Sequence, residues 1–275
     1  MPETQPSTFS FAKAYLRRSL LGDRNGKYIY LTNHKVASAT IKGSLWQSAV
    51  NQKSWDFERP LAPNKQAENA PYSNELAYVR DLISSDVYTF GFVRNPYYRV
   101  LSAYLHQIRP QKGSYRHLIK LTGEDRAYTF SEFVKILHDL PLDKMDHHWL
   151  PQSQAILINY INIDFVGRLE NFGEDFQIVM HKLFGEHYEL WTDKSRKATG
   201  AKESASDFFT DDLVDLIQAK YAEDFTHFGY DEDWEIIPSK GPSAFPNRMN
   251  TTLLDRIDKI VSRQSSKSNA RARAH

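Results

Sequence analysis

The chain has 275 residues, 41% of them hydrophobic and 25% charged, with a net charge of +1 and no cysteine. That length supports one α/β domain with a large core, or two small domains. The charge balance excludes a bulk polycation of the kind that binds nucleic acid, and the missing thiols exclude disulfides, thiolate metal sites and a cysteine nucleophile.

Residues 1–10 are polar and lack the apolar core of a secretory signal. No apolar run approaches the roughly 18 to 20 residues of a membrane span. The expectation is a cytoplasmic protein with no transmembrane segment. Residues 1–26 read as a lead with a short helix, 27–237 as the main domain, and 238–275 as a short helix and disordered tail. Aromatic content is high, at 16 Phe and 15 Tyr, and most of it is expected in the core.

In chain order, residues 11–21 fit a short amphipathic helix with Phe11, Tyr15 and Leu16 opposite Arg17 and Arg18. A turn signal follows at 22–26. Tyr28-Ile29-Tyr30-Leu31 suits a short buried strand, and a helical run with Ile41, Leu45 and Trp46 on one face begins near Ala39 or Thr40. Between them, Thr32 to Ser38 is small and hydroxylated with one lysine. Strand, tight loop and helix start gather backbone N–H groups around an anion, to which Lys35 adds a point charge and Ser38 and Thr40 add hydroxyl donors. This is not a Walker A loop, because no glycine precedes Lys35 within it. An ordinary strand–loop–helix with an exposed lysine is the alternative.

Residues 49–74, punctuated by Pro60, Pro63 and Pro71, read as a surface loop or mobile lid, and 75–83 as a short helix. Residues 87–93 form a second strand, apolar on both faces as in a buried parallel sheet. It runs into Arg94-Asn95-Pro96, with Pro96 in the first turn of a helix over 97–108. Arg94, Tyr98 and Ser102 are four apart. An arginine at a strand end ahead of a helix makes a second anion site, so two such sites share the C-terminal edge of one sheet, where open α/β sheets bind ligands. A surface salt bridge is the alternative for Arg94.

Residues 109–128 are basic, with Arg109, Lys112, Arg116, His117 and Lys120, and read as a loop or irregular helix near the site or as a solvated face. Thr129 and Glu132 have capping-box spacing ahead of a helix that Pro141 ends. Asp146, His147 and His148 raise the question of a metal. Adjacent residues rarely both face one ion, and the sequence offers no evident third ligand, so a general base or substrate contact fits better, with a capping or core histidine as the alternative. A third strand spans 161–168, an amphipathic helix 171–184, and a polar loop with Lys194, Arg196, Lys197 and Lys202 spans 194–206. Thr210 caps a helix that ends near Phe228-Gly229-Tyr230, and one more amphipathic helix covers 251–263. No internal repeat is present.

Two of these segments resemble the nucleotide-donor motifs of sulfotransferases. His34-Lys35-Val36-Ala37-Ser38-Ala39-Thr40 resembles their 5′-phosphosulfate loop, and Phe92-Val93-Arg94-Asn95-Pro96-Tyr97-Tyr98-Arg99-Val100-Leu101-Ser102-Ala103-Tyr104 their 3′-phosphate motif. Downstream, His148 to Gln152, Asp164 to Glu170 and Tyr221 to Tyr230 resemble sulfotransferase family 2, which includes the carbohydrate O-sulfotransferases. The resemblance covers roughly residues 27–231.

It implies a P-loop NTPase-like three-layer α/β fold with a central, mostly parallel sheet flanked by helices. It also implies transfer of a sulfuryl group from 3′-phosphoadenosine 5′-phosphosulfate (PAPS) to a hydroxyl, of a carbohydrate or another acceptor, by in-line displacement without a metal. Lys35, Val36, Ala37, Ser38, Ala39 and Thr40 would hold the 5′-phosphosulfate, with Lys35 stabilising charge as the sulfuryl group leaves. Arg94 and Ser102 would take the 3′-phosphate. Arg168, Arg196, Lys197 and Lys202 are candidates for the donor's phosphates or adenine, with solvated charge the alternative. Ala39 stands where many relatives have threonine. Of the catalytic bases considered, His148 is first, since imidazole titrates near neutral pH, followed by His147 and Glu170. The rivals are a P-loop-like kinase or other ATP-dependent phosphotransferase, and a catalytically silent nucleotide or glycan binder. The loop at 49–74 and the basic segment from Arg109 to Lys120 would suit an anionic glycan.

Overall fold

The computed structural model describes residues 13–51, 72–73, 75–85, 87–191, 200–236 and 253–262. Its sheet has five strands in the order β3-β1-β2-β4-β5. These are β1 (Leu20–Asp23), β2 (Tyr28–Leu31), β3 (Tyr72–Ser73), β4 (Tyr88–Val93) and β5 (Phe165–Arg168). β2, β4 and β5 run parallel and β1 is antiparallel to both of its neighbours, so β1 alone opposes the common direction. The register sets Leu31 beside Gly91 and Val93 beside Arg168, which places the chain's exits from β2, β4 and β5 along one edge.

Alternation within the strands decides the layering. Tyr28 and Tyr30 of β2 and Phe90 and Phe92 of β4 pack with Ile41, Leu45 and Trp46 of α2 (Ser38–Asn51) and with Phe176, Val179 and Met180 of α8 (Phe172–Phe184). Ile29, Leu31 and Val93 face the opposite way. They join Val79 and Leu82 of α3 (Leu76–Ser84), Val100 and Leu101 of α4 (Pro96–Ala103) and a larger cluster beyond. Helices therefore cover both faces of the sheet. The first cluster is aromatic in character, with Tyr30 and Phe90 stacked at 5.2 Å between centroids. α2 is pinned on its outer side: Ser44 Oγ accepts from the Trp191 N–H at 2.8 Å, and a Cβ added at Gly43 would lie 2.5 Å from the Trp191 ring.

α4 starts as its sequence prescribes. The Asn95 side chain accepts from the Tyr97 N–H, Pro96 occupies the first turn, and the helix runs on into a wider π turn over Tyr104–Ile108. The capping box at Thr129 and Glu132 opens α6 (Phe130–Asp139), with the Glu132 N–H donating to Thr129 Oγ1 and the Thr129 N–H donating to Glu132. The basic segment carries a regular helix, α5 (Tyr115–Thr122), ended by Gly123 at φ 75°. Past the short helix α7 (Gln152–Ala155), the helix expected to run from Thr210 to Phe228 is broken at Tyr221 into α9 (Asp211–Lys220) and α10 (Ala222–Phe228). Thr210 holds the cap position without a side-chain hydrogen bond.

Elements near both ends of the described residues pack into the larger cluster. In the described part of the expected lead, the helix expected over 11–21 is α1 (Lys13–Ser19), Leu20 and Leu21 belong to β1, and Leu16 and Leu20 are fully buried. A four-residue strand, Leu20-Leu21-Gly22-Asp23, with only two apolar side chains is too short to show a period of two. At the other end, the helix over 253–262, here α11, buries Leu253 and Ile257 in the larger cluster and so belongs to the same unit. Most of the segment 49–74, and residues 194–199 of the polar loop, lie outside the described residues. Among those described, no helix is long and apolar enough to cross a membrane.

Candidate functional site

The β2–α2 loop leaves the sheet edge with an unusual backbone. Lys35 (φ 69°) and Ala37 (φ 58°) both adopt the left-handed region, although neither is glycine, and Val36 between them is fully buried. Side chains with a Cβ enter that region at a cost, so the surroundings hold the loop there. Ser38 then begins α2, and the free N–H groups of that first turn face the loop's end of the dipole. Ala39 is buried, and Ser38 and Thr40 are half-buried.

Arg94 stands at the next exit, after β4. Its Nη1 makes a long 3.5 Å contact with the Lys35 carbonyl, so the two predicted anion sites meet at this point. Burial pulls the Arg94 pKa down, while Glu170, Tyr230 and Glu203 oppose the shift. An arginine remains charged throughout the physiological range. Its backbone is clamped by Gln152, whose Oε1 accepts from the Arg94 N–H at 2.9 Å and whose Nε2 donates to the Arg94 carbonyl at 2.7 Å. Gln152 Oε1 also accepts from Asn33 Nδ2 at 3.0 Å. Asp224, wholly buried, accepts from the Gln152 and Ser153 N–H groups at 2.8 and 2.7 Å, fixing the start of α7 beneath the site.

Glu170, the third base candidate, has both oxygens engaged. Oε1 accepts from the Asn95 N–H at 2.8 Å and Oε2 from Tyr230 OH at 3.0 Å. It orients the turn that carries Arg94. Ser102 is buried on α4, one turn past Tyr98. Arg168 is also buried: it lies over the Tyr230 ring at 4.5 Å and donates from Nη2 to the Phe228 carbonyl, while its Nε and Nη1 have no hydrogen-bond partner among the described residues. Lys202 is exposed, on a turn whose next residue, Glu203, acts electrostatically on Arg94. Arg196 and Lys197 lie outside the described residues.

A second group borders the Lys35 loop. Asp146 Oδ1 contacts His148 Nδ1 at 2.8 Å, Ser114 Oγ at 2.9 Å and the His148 N–H at 2.9 Å. Ser114 Oγ also lies 2.7 Å from His148 Nδ1. With Nδ1 so occupied, His148 directs Nε2 as its free nitrogen. Burial works against the Asp146 carboxylate, yet its bonds to His148 and the neighbouring His147 hold its pKa well below the ordinary carboxylate range. Burial lowers the His147 pKa to about 4, with Asp146 opposing. His34, next to Lys35, joins them: its ring centre is 4.1 Å from that of His147 and 4.7 Å from that of His148. Burial, aided by His147, His148, Lys42 and Arg99, lowers the His34 pKa well below its usual value. The third imidazole missing from the sequence reading is thus supplied by the fold.

One arginine joins the two groups. Arg99, almost fully buried on α4, donates from Nε to the His34 carbonyl at 3.0 Å, from Nη1 to the Leu150 carbonyl at 2.8 Å, and from Nη2 to Asn33 Oδ1 at 3.1 Å. It ties the Lys35 loop to the segment bearing His147 and His148. Sequence reasoning assigned no role to Arg99, Asn33, Gln152, Asp224 or Lys42. The only advance signal was a charged or amide residue inside an otherwise apolar pattern.

The arrangement can hold two separated anionic groups, through the Lys35 loop and Arg94, beside a histidine oriented by a carboxylate. A family profile described as the sulfotransferase family matches residues 19–231. Among curated proteins the chain is similar to carbohydrate sulfotransferase 14 of Danio rerio, 23% identical over 244 residues that make up 79% of this chain and 63% of that protein. It is also similar to carbohydrate sulfotransferase 14 of Homo sapiens, 26% identical over 188 residues, or 61% of this chain and 47% of that protein. The chain therefore spans about half to two thirds of the length of these relatives, and the cytoplasmic expectation draws no support from them. No solved structure matches the chain. With the profile covering most of its length, including both anion-site loops and the histidine segment, the chain belongs to the sulfotransferase family.

Proposed function

We propose that the chain transfers a sulfuryl group from PAPS to a carbohydrate hydroxyl, on a P-loop-like α/β fold. The observation that carries this reading is the meeting of the two anion sites, Lys35 loop and Arg94, at the edge shared by β2 and β4 with His148 beside them. The residues present suit a donor with separated charges. The strained turn at Lys35 and Ala37 and the first turn of α2 offer N–H groups to the 5′-phosphosulfate, and Arg94 with the buried Ser102 forms the 3′-phosphate side. Arg168, with two guanidinium nitrogens lacking a hydrogen-bond partner among the described residues, and Lys202 remain candidates for the nucleotide.

In the transfer, a bond forms from the acceptor oxygen to sulfur as the bond from sulfur to the bridging oxygen breaks. Lys35 offsets the charge that develops on that bridging oxygen. His148 Nε2 accepts the hydroxyl proton, and Asp146 stabilises the imidazolium so formed, as in other His–carboxylate pairs. Most of the rate gain expected comes from positioning and electrostatics, as in phosphoryl transfer. The acceptor class rests on the names of the relatives. The ATP-dependent phosphotransferase reading is disfavoured by the family match and by the absence of Walker glycines before Lys35.

Calorimetric titration with adenosine 3′,5′-bisphosphate in EDTA tests the donor site. Micromolar binding to the wild type is expected, weakened at least tenfold in Arg94→Ala. No binding to the folded wild type, or a preference for ATP with magnesium, overturns the proposal.

A further inference from the structure

We infer that His34, His147 and His148 together form a binding site for one divalent transition-metal ion of the zinc, cobalt or copper class, set against the Lys35 loop. One ligand nitrogen from each of the three rings can be chosen so that all lie within 4.8 Å of one another. In a tetrahedral zinc site with Zn–N bonds of about 2.0 to 2.1 Å, neighbouring ligand nitrogens stand roughly 3.3 Å apart. An ion bound there would draw the three nitrogens together from that separation. The three residues come from two segments far apart in sequence, and Arg99 already fixes their relation by binding the His34, Leu150 and His147 carbonyls.

The outer contacts are those of a metal site. His148 Nδ1 is engaged by Asp146 and Ser114, which leaves Nε2 as the ligand atom and fixes the ring. A carboxylate behind a histidine in this way orients the ring and raises its basicity toward a metal. His147 Nδ1 likewise lies 3.4 Å from both Asp146 and Arg18, which leaves its Nε2 available to an ion. The side chains are partly open, at 25% exposure for His147 and 17% for His148, so an ion can reach them from solvent. Three imidazoles and no thiolate favour zinc, cobalt, nickel or copper over magnesium or calcium, and three protein ligands leave one position for water or an anion.

Charge nearby tempers the affinity. Arg18, Arg99 and Lys42 all act on these rings, against the single carboxylate of Asp146. Micromolar binding is therefore expected, with an anion favoured in the fourth position. Because the ion takes up the Nε2 lone pair of His148, zinc inhibits the proposed sulfuryl transfer. That consequence rests on the proposed function, whereas the site itself does not.

The test is a cobalt(II) titration of the chelator-treated full chain near neutral pH, read by visible absorption. A d–d band of tetrahedral or five-coordinate intensity should rise to one equivalent, collapse on adding zinc, and need at least tenfold more cobalt in His34→Gln and in His147→Gln. X-ray absorption of the zinc-loaded wild type gives a reading independent of variant folding, with three imidazole shells expected at about 2.0 Å. No band with the folded wild type, an undiminished band in both variants, or fewer than three imidazoles at zinc overturns the inference. Nucleotide binding in EDTA does not bear on it, so the two readings fail separately.

Discussion

Lys42 lies one turn beyond Ser38 on α2, near enough to act on His34, and burial alone lowers its pKa to about 8. Its effect on pH dependence has a definite sign. Between about pH 8 and the ordinary lysine value the unfolded chain binds a proton that the folded chain does not, so this residue makes stability rise with pH in that window. Nucleotide binding runs the other way. A bound anion favours the ammonium form, and above pH 8 each binding event must take up a proton. The affinity for adenosine 3′,5′-bisphosphate should fall by up to about tenfold per pH unit above pH 8, and Lys42→Met should flatten the profile while weakening binding at pH 7. Equal slopes for wild type and variant would refute a role for Lys42. At this scale the sequence was partly legible. Lys35 and Arg94 stood out because a charge follows a strand and precedes a helix, and His148 because an imidazole beside an aspartate suits a base. His34 and Arg99 did not, since their value lies in partners 113 residues (His34 to His147) and 51 residues (Arg99 to Leu150) away, and no local pattern encodes such a contact.

Among elements, the strands and helices that position the site follow from local chemistry, and their joints do not. β2, β4, α4 and α6 fall close to where apolar period, proline and capping residues place them. α7 is four residues long, and its start depends on Asp224 from α10 rather than on a cap of its own. This joint carries Gln152, whose amide stands in for a neighbouring strand along the backbone of Arg94. Replacement by leucine conserves bulk but leaves the Arg94 N–H and carbonyl and the Asn33 amide short of partners in a buried place. Each such group costs about 1–3 kcal/mol, so Gln152→Leu should destabilise the fold by about 3 kcal/mol or more in urea denaturation. It should also weaken nucleotide binding, because Arg94 loses its support. A loss below about 1 kcal/mol would show that water satisfies these groups and that the clamp is not structural.

For the whole molecule, the question is how far the cooperative unit extends. The sheet and its two helical layers span the family match at 19–231, but α11 lies beyond it and still buries Leu253 and Ile257. A detached helix would leave these side chains in water. A helix of this length is marginal alone, so its order comes from packing rather than propensity. The partner is the larger cluster, which also holds Val79 and Leu82 of α3, and Arg80 of α3 pairs with Asp258 of α11 at 3.0 Å. That ion pair is exposed and contributes little, which leaves apolar burial as the main tie. Leu253→Ala should therefore cost about 2–4 kcal/mol within a single unfolding transition, with the bisphosphate affinity unchanged because Leu253 is none of the residues assigned to the nucleotide. Asp258→Asn serves as the comparison and should leave the melt where it is. If Leu253→Ala instead produced a separate low-temperature transition, or none of this loss, α11 would be an appendage outside the cooperative unit.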